Sequence, residues 1–87
     1  MIVKIHPHFK KWYKKRIFFN KNLVLKVHER LELFKQDSTY PILKDHSLIG
    51  DMKGFRAFSV NGDIRIVYYI EFDTIWLYDI GTHNQVY

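Results

Sequence analysis

Apolar and polar positions alternate along the chain in a way that marks one short strand, two helices and three further strands. Met1–Ile5 carries the strand pattern, with Ile2 and Ile5 bracketing Val3 and Lys4. His6-Pro7 ends it, because proline lacks an amide donor and its fixed φ suits the first turn of a helix. From Pro7 to about Phe18, Phe9, Trp12, Tyr13 and Ile17 recur at helical spacing. Lys10, Lys11, Lys14, Lys15 and Arg16 fill most of the positions between them. Asn20 or Asn22 can cap a second helix reaching about Gln36, with Leu23, Val24, Val27, Leu31 and Phe34 as its apolar stripe. So short a link predicts an antiparallel helical hairpin.

Asp37 to Pro41 reads as a loop, and the stretch to Met52 reads as irregular, with Gly50-Asp51 as a turn. Strands are predicted at Phe55–Val60, Ile64–Ile70 and Ile75–Ile80, all rich in β-branched and aromatic residues. Asn61-Gly62 between the first two predicts a two-residue hairpin loop, and Phe72-Asp73 a turn between the last two. The order β-α-α-β-β-β predicts an α+β domain in which the helical hairpin covers one face of an antiparallel sheet and leaves the other open. A two-residue loop places Phe58 opposite Arg65 and Arg56 opposite Val67. Strand period then turns Arg56, Asp63 and Arg65 to the open face, and Ala57, Ile64 and Ile66 to the core.

With 87 residues the chain is expected to be one domain spanning 1–87, and 17% aromatic residues supply the large surfaces that a short chain needs for a core. The absence of cysteine removes disulfides, thiol nucleophiles and thiolate zinc sites. No apolar run approaches a membrane span, and Lys4 and His6 interrupt the apolar start, so the expected location is the cytoplasm. The net charge of +5 is unevenly spread: residues 1–30 carry +8 and residues 31–87 carry −3. A basic half joined to a mildly acidic one points to a polyanionic partner, most often nucleic acid.

Imidazoles are the first candidates for chemistry near neutral pH. His6 and His8 lack a third ligand at a recognisable spacing, so no metal site and no cofactor are expected. His28 falls beside the apolar stripe of the second helix, a half-buried packing position. His46 sits in the polar segment Lys44-Asp45-His46-Ser47-Leu48-Ile49-Gly50, and His83 follows Gly81-Thr82 at the end of the last strand. Both are well placed to meet a substrate.

The run Lys44-Asp45-His46-x-Leu48-x-Gly50, then Lys53-Gly54-Phe55-Arg56, Asp63-Ile64-Arg65-Ile66-Val67-Tyr68 and Gly81-Thr82-His83 before a terminal aromatic resembles the RelE/StbE toxins. It is most similar to their YafQ type of mRNA interferase. The resemblance implies a metal-independent endoribonuclease that cuts messenger RNA on the ribosome and is silenced by a cognate antitoxin. It assigns functional positions to His46, Asp63, Arg65, His83 and Tyr87. Two places depart: where the YafQ type usually carries an acidic residue and a histidine, this chain has Ala57 and Ser59. The same fold also serves ParE-like toxins, which bind DNA gyrase without catalysis, and a degenerate partner-binding remnant is a third reading. The histidine pair His46 and His83 favours the nuclease.

Metal-free RNA cleavage uses the 2′-hydroxyl as nucleophile, so one group must take its proton, another must protonate the leaving 5′-oxygen, and cations must neutralise the phosphorane. His83 is assigned as general acid and His46 as base, with Asp63 orienting an imidazole or replacing the base. Arg65, Arg56 and Lys53 would hold the phosphate, and Tyr87 would stack on a splayed base. Lys10, Lys11, Lys14 and Lys15 form a patch suited to ribosomal RNA phosphates or to an acidic antitoxin. A membrane surface is the weaker fit, because the apolar side of this helix is needed in the core. The whole scheme requires the two imidazoles to meet beside guanidinium groups over the open face.

Overall fold

Pro7 and Asn20 start the two helices where the pattern places them. A computed structural model describes residues 1–87. Strand β1 (Ile2–Ile5) leads into α1 (Pro7–Arg16), and α2 (Lys21–Gln36) follows. The His6 ring caps α1 by accepting from the His8 amide at 3.1 Å, and Asn20 Oδ1 caps α2 by accepting from the Leu23 amide at 3.1 Å. Strands β2 (His46–Ser47), β3 (Arg56–Ser59), β4 (Ile64–Glu71) and β5 (Thr74–Thr82) come next, and α3 (His83–Val86) closes the chain.

The α+β architecture is as expected, with the strands ordered β1-β5-β4-β3-β2 in one sheet. One direction differs. β1 runs parallel to β5, Ile2 facing Thr74 and Ile5 facing Leu77, so the sheet is mixed rather than wholly antiparallel. Both helices and three strands lie between β1 and β5 in the chain, so no tight turn dictates their relative direction. β2 adds a two-residue edge to the stretch expected to be irregular, pairing His46 with Ala57 and Ser47 with Arg56. Two residues carry no periodicity, so only the pairing reveals them.

The β3–β4 loop corrects the expected register. Asn61 Oδ1 accepts from the amides of Asp63 at 2.8 Å and Ile64 at 2.7 Å, and the Val60 amide donates to Ile64 O at 2.8 Å. This asparagine turn makes the loop three residues long. Ser59 therefore faces Arg65, Phe58 faces Ile66, Ala57 faces Val67 and Arg56 faces Tyr68. A one-residue slip exchanges the two faces of β3. Phe58 enters the main core, Ala57 moves to the open face, and Arg56 goes to the helical side.

The main core joins the helices to the sheet through Phe9, Ile17, Val27 and Phe34 against Phe58 and Tyr68. Phe34 stacks on Phe58 with ring centroids 4.3 Å apart and an 11° tilt. On the opposite face Ala57, Val67 and Val86 form a smaller cluster with Leu48, Met52 and Phe55, so α3 partly roofs the face expected to be bare. His28 is exposed rather than half-buried. No helix is long and apolar enough to cross a membrane.

Candidate active site

Strand alternation along β4 carries Arg65 to the open face, where it faces Ser59 on β3 and Gly81 on β5. Its Nη1 donates to the carbonyls of Asn61 at 3.2 Å and Gly62 at 3.3 Å, which fixes the guanidinium against the hairpin loop. Arg56 and Arg16 both reach carboxylates, at 3.4 Å each, whereas Arg65 makes no ion pair. A half-buried guanidinium with no carboxylate partner is a ready receiver for a phosphate.

Thr82 and Gln85 start the last helix, with Gln85 Oε1 accepting from the Thr82 amide at 2.8 Å. Buried Val86 then pins α3 onto Ala57 and Val67. That fold-back brings Tyr87 into place rather than leaving it frayed. Its ring meets His83 edge-on at 4.6 Å, and its amide donates to His83 O at 3.1 Å. Burial pushes the Tyr87 phenol up, and the neighbouring positive charge of Arg65 opposes that rise. Arg65, Tyr87 and the exposed His83 are thus one group at the C-terminal end of β5.

Gly81 lies beneath this group. A Cβ there would stand 2.7 Å from both Arg16 Nη1 and Gln85 Oε1. Gly81→Ala is therefore expected to displace Gln85 and loosen α3. The check is limited proteolysis of the C-terminal segment, faster in the variant than in the parent, and equal rates would refute it.

His46 stands apart from that group. It is exposed on the edge strand and shares the open face with Ala57. Three strand spacings, about 14 Å, separate β2 from β5. His46 Nδ1 lies 2.9 Å from Lys44 O, a carbonyl that can only accept, so Nδ1 carries the proton and a neutral ring keeps its Nε2 lone pair free. The expected meeting of two imidazoles becomes instead two imidazoles on opposite banks of the face.

Asp45 holds the His46 bank. Both its oxygens lie 2.8 Å from the Tyr68 hydroxyl, and Arg56 Nε approaches at 3.4 Å. Burial of Tyr68, with Asp45 beside it, raises the phenol well above its usual range, so Tyr68 stays a donor. Sequence reasoning missed Asp45, which looked like one more loop acid. Its only signal was a place immediately before His46 in the motif.

Arg56 is the main correction among the candidate residues. It donates to Tyr68 Oη at 3.1 Å and Ser47 Oγ at 2.8 Å, faces Asp45, and does not join Arg65. Asp63 is exposed in the loop that receives the Arg65 guanidinium, and Lys53 is exposed after the turn at 50–52. The basic patch of α1 divides by helical spacing. Lys10 and Lys14 flank Tyr13 beside Phe18 and Phe19, while Lys11 and Lys15 lie over the Trp12 ring at 5.0 and 5.3 Å. No three His, Asp or Glu side chains gather closely enough to share a metal ion.

Over its full span, residues 1–87, the chain matches the family described as the bacterial toxin of type II toxin–antitoxin systems, YafQ. The chain belongs to the YafQ toxin family. No curated protein sequence matches it. Among solved structures it resembles YafQ from E. coli strain BL21(DE3), with a TM-score of 0.82, 21% identity, and coverage of 98% of this chain and 96% of that one. The E. coli DinJ–YafQ complex gives a TM-score of 0.79 at 22% identity over 98% and 96% of the two chains. A metal-bound toxin from Helicobacter pylori gives 0.76 at 26% identity over 100% and 99%. These likenesses agree with the RelE-like α+β architecture described above.

Within the YafQ family pattern, the two departures now have locations. Ala57 is fully buried under Val86, and Ser59 is 8% exposed opposite Arg65. Neither place supplies an acid–base group.

Proposed function

We propose that this toxin is a ribosome-dependent endoribonuclease that cleaves messenger RNA by attack of the RNA 2′-hydroxyl. The observation that carries the reading is Arg65, a guanidinium without a carboxylate partner set beside Tyr87 and His83. Bound there, the scissile phosphate meets a cation that neutralises the charge developing on the phosphorane. His83 protonates the leaving 5′-oxygen. Asp63, at the loop that holds Arg65, takes the 2′-proton in place of an imidazole, and His46, on the opposite bank, meets the strand away from the scissile phosphate. Tyr87 stacks on a base splayed from the strand, and Lys53 adds charge at the rim.

The partner that silences it is an acidic antitoxin. An antitoxin accompanies the toxin in the E. coli DinJ–YafQ complex, and type II systems are defined by such pairs. This chain offers a trough of about 670 Å³ between its two long helices, lined by Ile5, Phe9, Tyr13 and Leu31, with Lys10 on its rim. An amphipathic acidic segment satisfies both the apolar floor and the basic edge.

Primer extension on messages from cells expressing the chain tests the reaction. Discrete cuts inside translated codons are expected. Intact messages with broken chromosomal DNA would replace this reading with gyrase binding. Lys14 and Lys15 changed together to Glu are expected to weaken co-sedimentation with ribosomes and to flatten its salt dependence. Unchanged sedimentation across salt would remove the patch from ribosome binding.

A further inference from the structure

The open face continues beyond Arg65 into a second region that the cleavage chemistry does not use. Tyr69 on β4 and Trp76 and Tyr78 on β5 point to this face, and all three are half-buried. The β-bulge between Val67 and Tyr68 leaves Tyr78 as an extra residue on β5 and turns its ring into the group. His6 and Phe55 lie 5.0 and 5.1 Å from the Tyr78 ring, and Tyr69 lies 6.2 Å from it. The main core is on the other side of the sheet, and on this side His8 of α1 stacks on one face of the Tyr78 ring at 4.5 Å with an 11° tilt.

Charge accompanies the rings. Lys4 Nζ lies 5.6 Å from the Trp76 centroid, and the Arg16 guanidinium 4.0 Å from that of Trp12, which adjoins His8. Of the acids on this face, Asp79 is met by Arg16 at 3.4 Å and His8 at 3.6 Å, while Glu71 lies beyond Tyr69 at the exposed end of β4. Half-exposed aromatic surface interleaved with cations is the pattern that grips single-stranded nucleic acid. A lipid surface would call for protruding aliphatic side chains, and an acidic peptide would gain little from so much ring area.

We propose that Tyr69, Trp76 and Tyr78 form a stacking platform for the bases of single-stranded RNA flanking the scissile bond. The proposal rests on reading the chain as an RNA-cleaving toxin and extends the substrate strand across the sheet. Tyr69 lies four residues along β4 from Arg65, about 14 Å, on the same face. A strand whose phosphate sits on Arg65 passes over the Ala57–Val67–Val86 cluster to lay its flanking bases on the platform.

The test is fluorescence anisotropy with a labelled 2′-O-methyl oligonucleotide, which lacks the nucleophile and so remains intact. Its affinity is compared with that of an abasic oligomer of the same length and charge. The parent chain is expected to bind the base-bearing oligomer about 5- to 150-fold more tightly for each base stacked. Trp76→Leu with Tyr78→Leu, which keep apolar bulk and remove the π-faces, are expected to abolish that advantage and leave a salt-dependent remainder. Equal affinity of the parent for the two oligomers overturns the proposal without recourse to any variant. So does an undiminished advantage in the leucine variant. Failure of the nuclease reading would register separately, as uncut messages in primer extension.

Discussion

His83→Ala is expected to abolish growth arrest when the chain is expressed alone and to lower the cleavage rate by roughly 10²–10⁴-fold, the range contributed by one positioned proton donor. Folding should be untouched. His83 is exposed, and its one aromatic contact is the edge-on Tyr87 ring, so stability should move by no more than about 0.5 kcal/mol. Antitoxin binding, measured by co-purification, should persist. A variant that still arrests growth and cuts messages at the parent's rate would take His83 out of the mechanism. Loss of activity together with loss of the folded state would make its role structural instead.

Phe58→Ala should have the largest effect on stability. Phe58 is fully buried, stacked on Phe34 at 4.3 Å and tilted against Tyr68 at 6.0 Å, at the point where the second helix meets the sheet. Removing a buried phenylalanine costs about 3–5 kcal/mol, and the lost ring stacking belongs to that figure. A chain of this length is stable by roughly 4–13 kcal/mol, so the change takes a large share of the total. The melting temperature should fall by roughly 12–40 °C, read by circular dichroism in the non-toxic His83→Ala background. A fall of less than about 5 °C would mean that the core is not organised around this ring.

Much of this was legible before any fold was known. Pro7 and Asn20 fixed the helix starts because capping is local, and the 3.6-residue recurrence of Phe9, Tyr13 and Ile17 needs no distant partner. The β4 faces were equally readable, since Ile64 and Ile66 alternate with Arg65 and Val67 in a single uninterrupted strand. The β3 faces were not. Their assignment hung on whether the hairpin loop held two residues or three, and the Asn61 side chain settled it by accepting from both Asp63 and Ile64. Arg56 was misplaced for that reason alone.

The candidate site divides along the same line. Motif order singled out His46, Arg65, His83 and Tyr87, but not their mutual positions. The place of Tyr87, which stays exposed, depends on Val86 finding Ala57 and Val67. Asp45 looked ordinary because its partners Tyr68 and Arg56 lie 23 and 11 residues away.

The sequence by itself determined the helices, the strands, the charge asymmetry and the kinds of side chain available for acid–base work. Periodicity and capping act over a few residues, and composition needs no geometry at all. Only the tertiary structure decided that β1 runs parallel to β5, that His46 and His83 stand on opposite banks, and that Arg65 rather than Arg56 is left without a counter-charge. Those outcomes follow from hydrogen-bond register and packing between residues far apart in the chain, where a one-residue difference in a single loop exchanges the two faces of a strand.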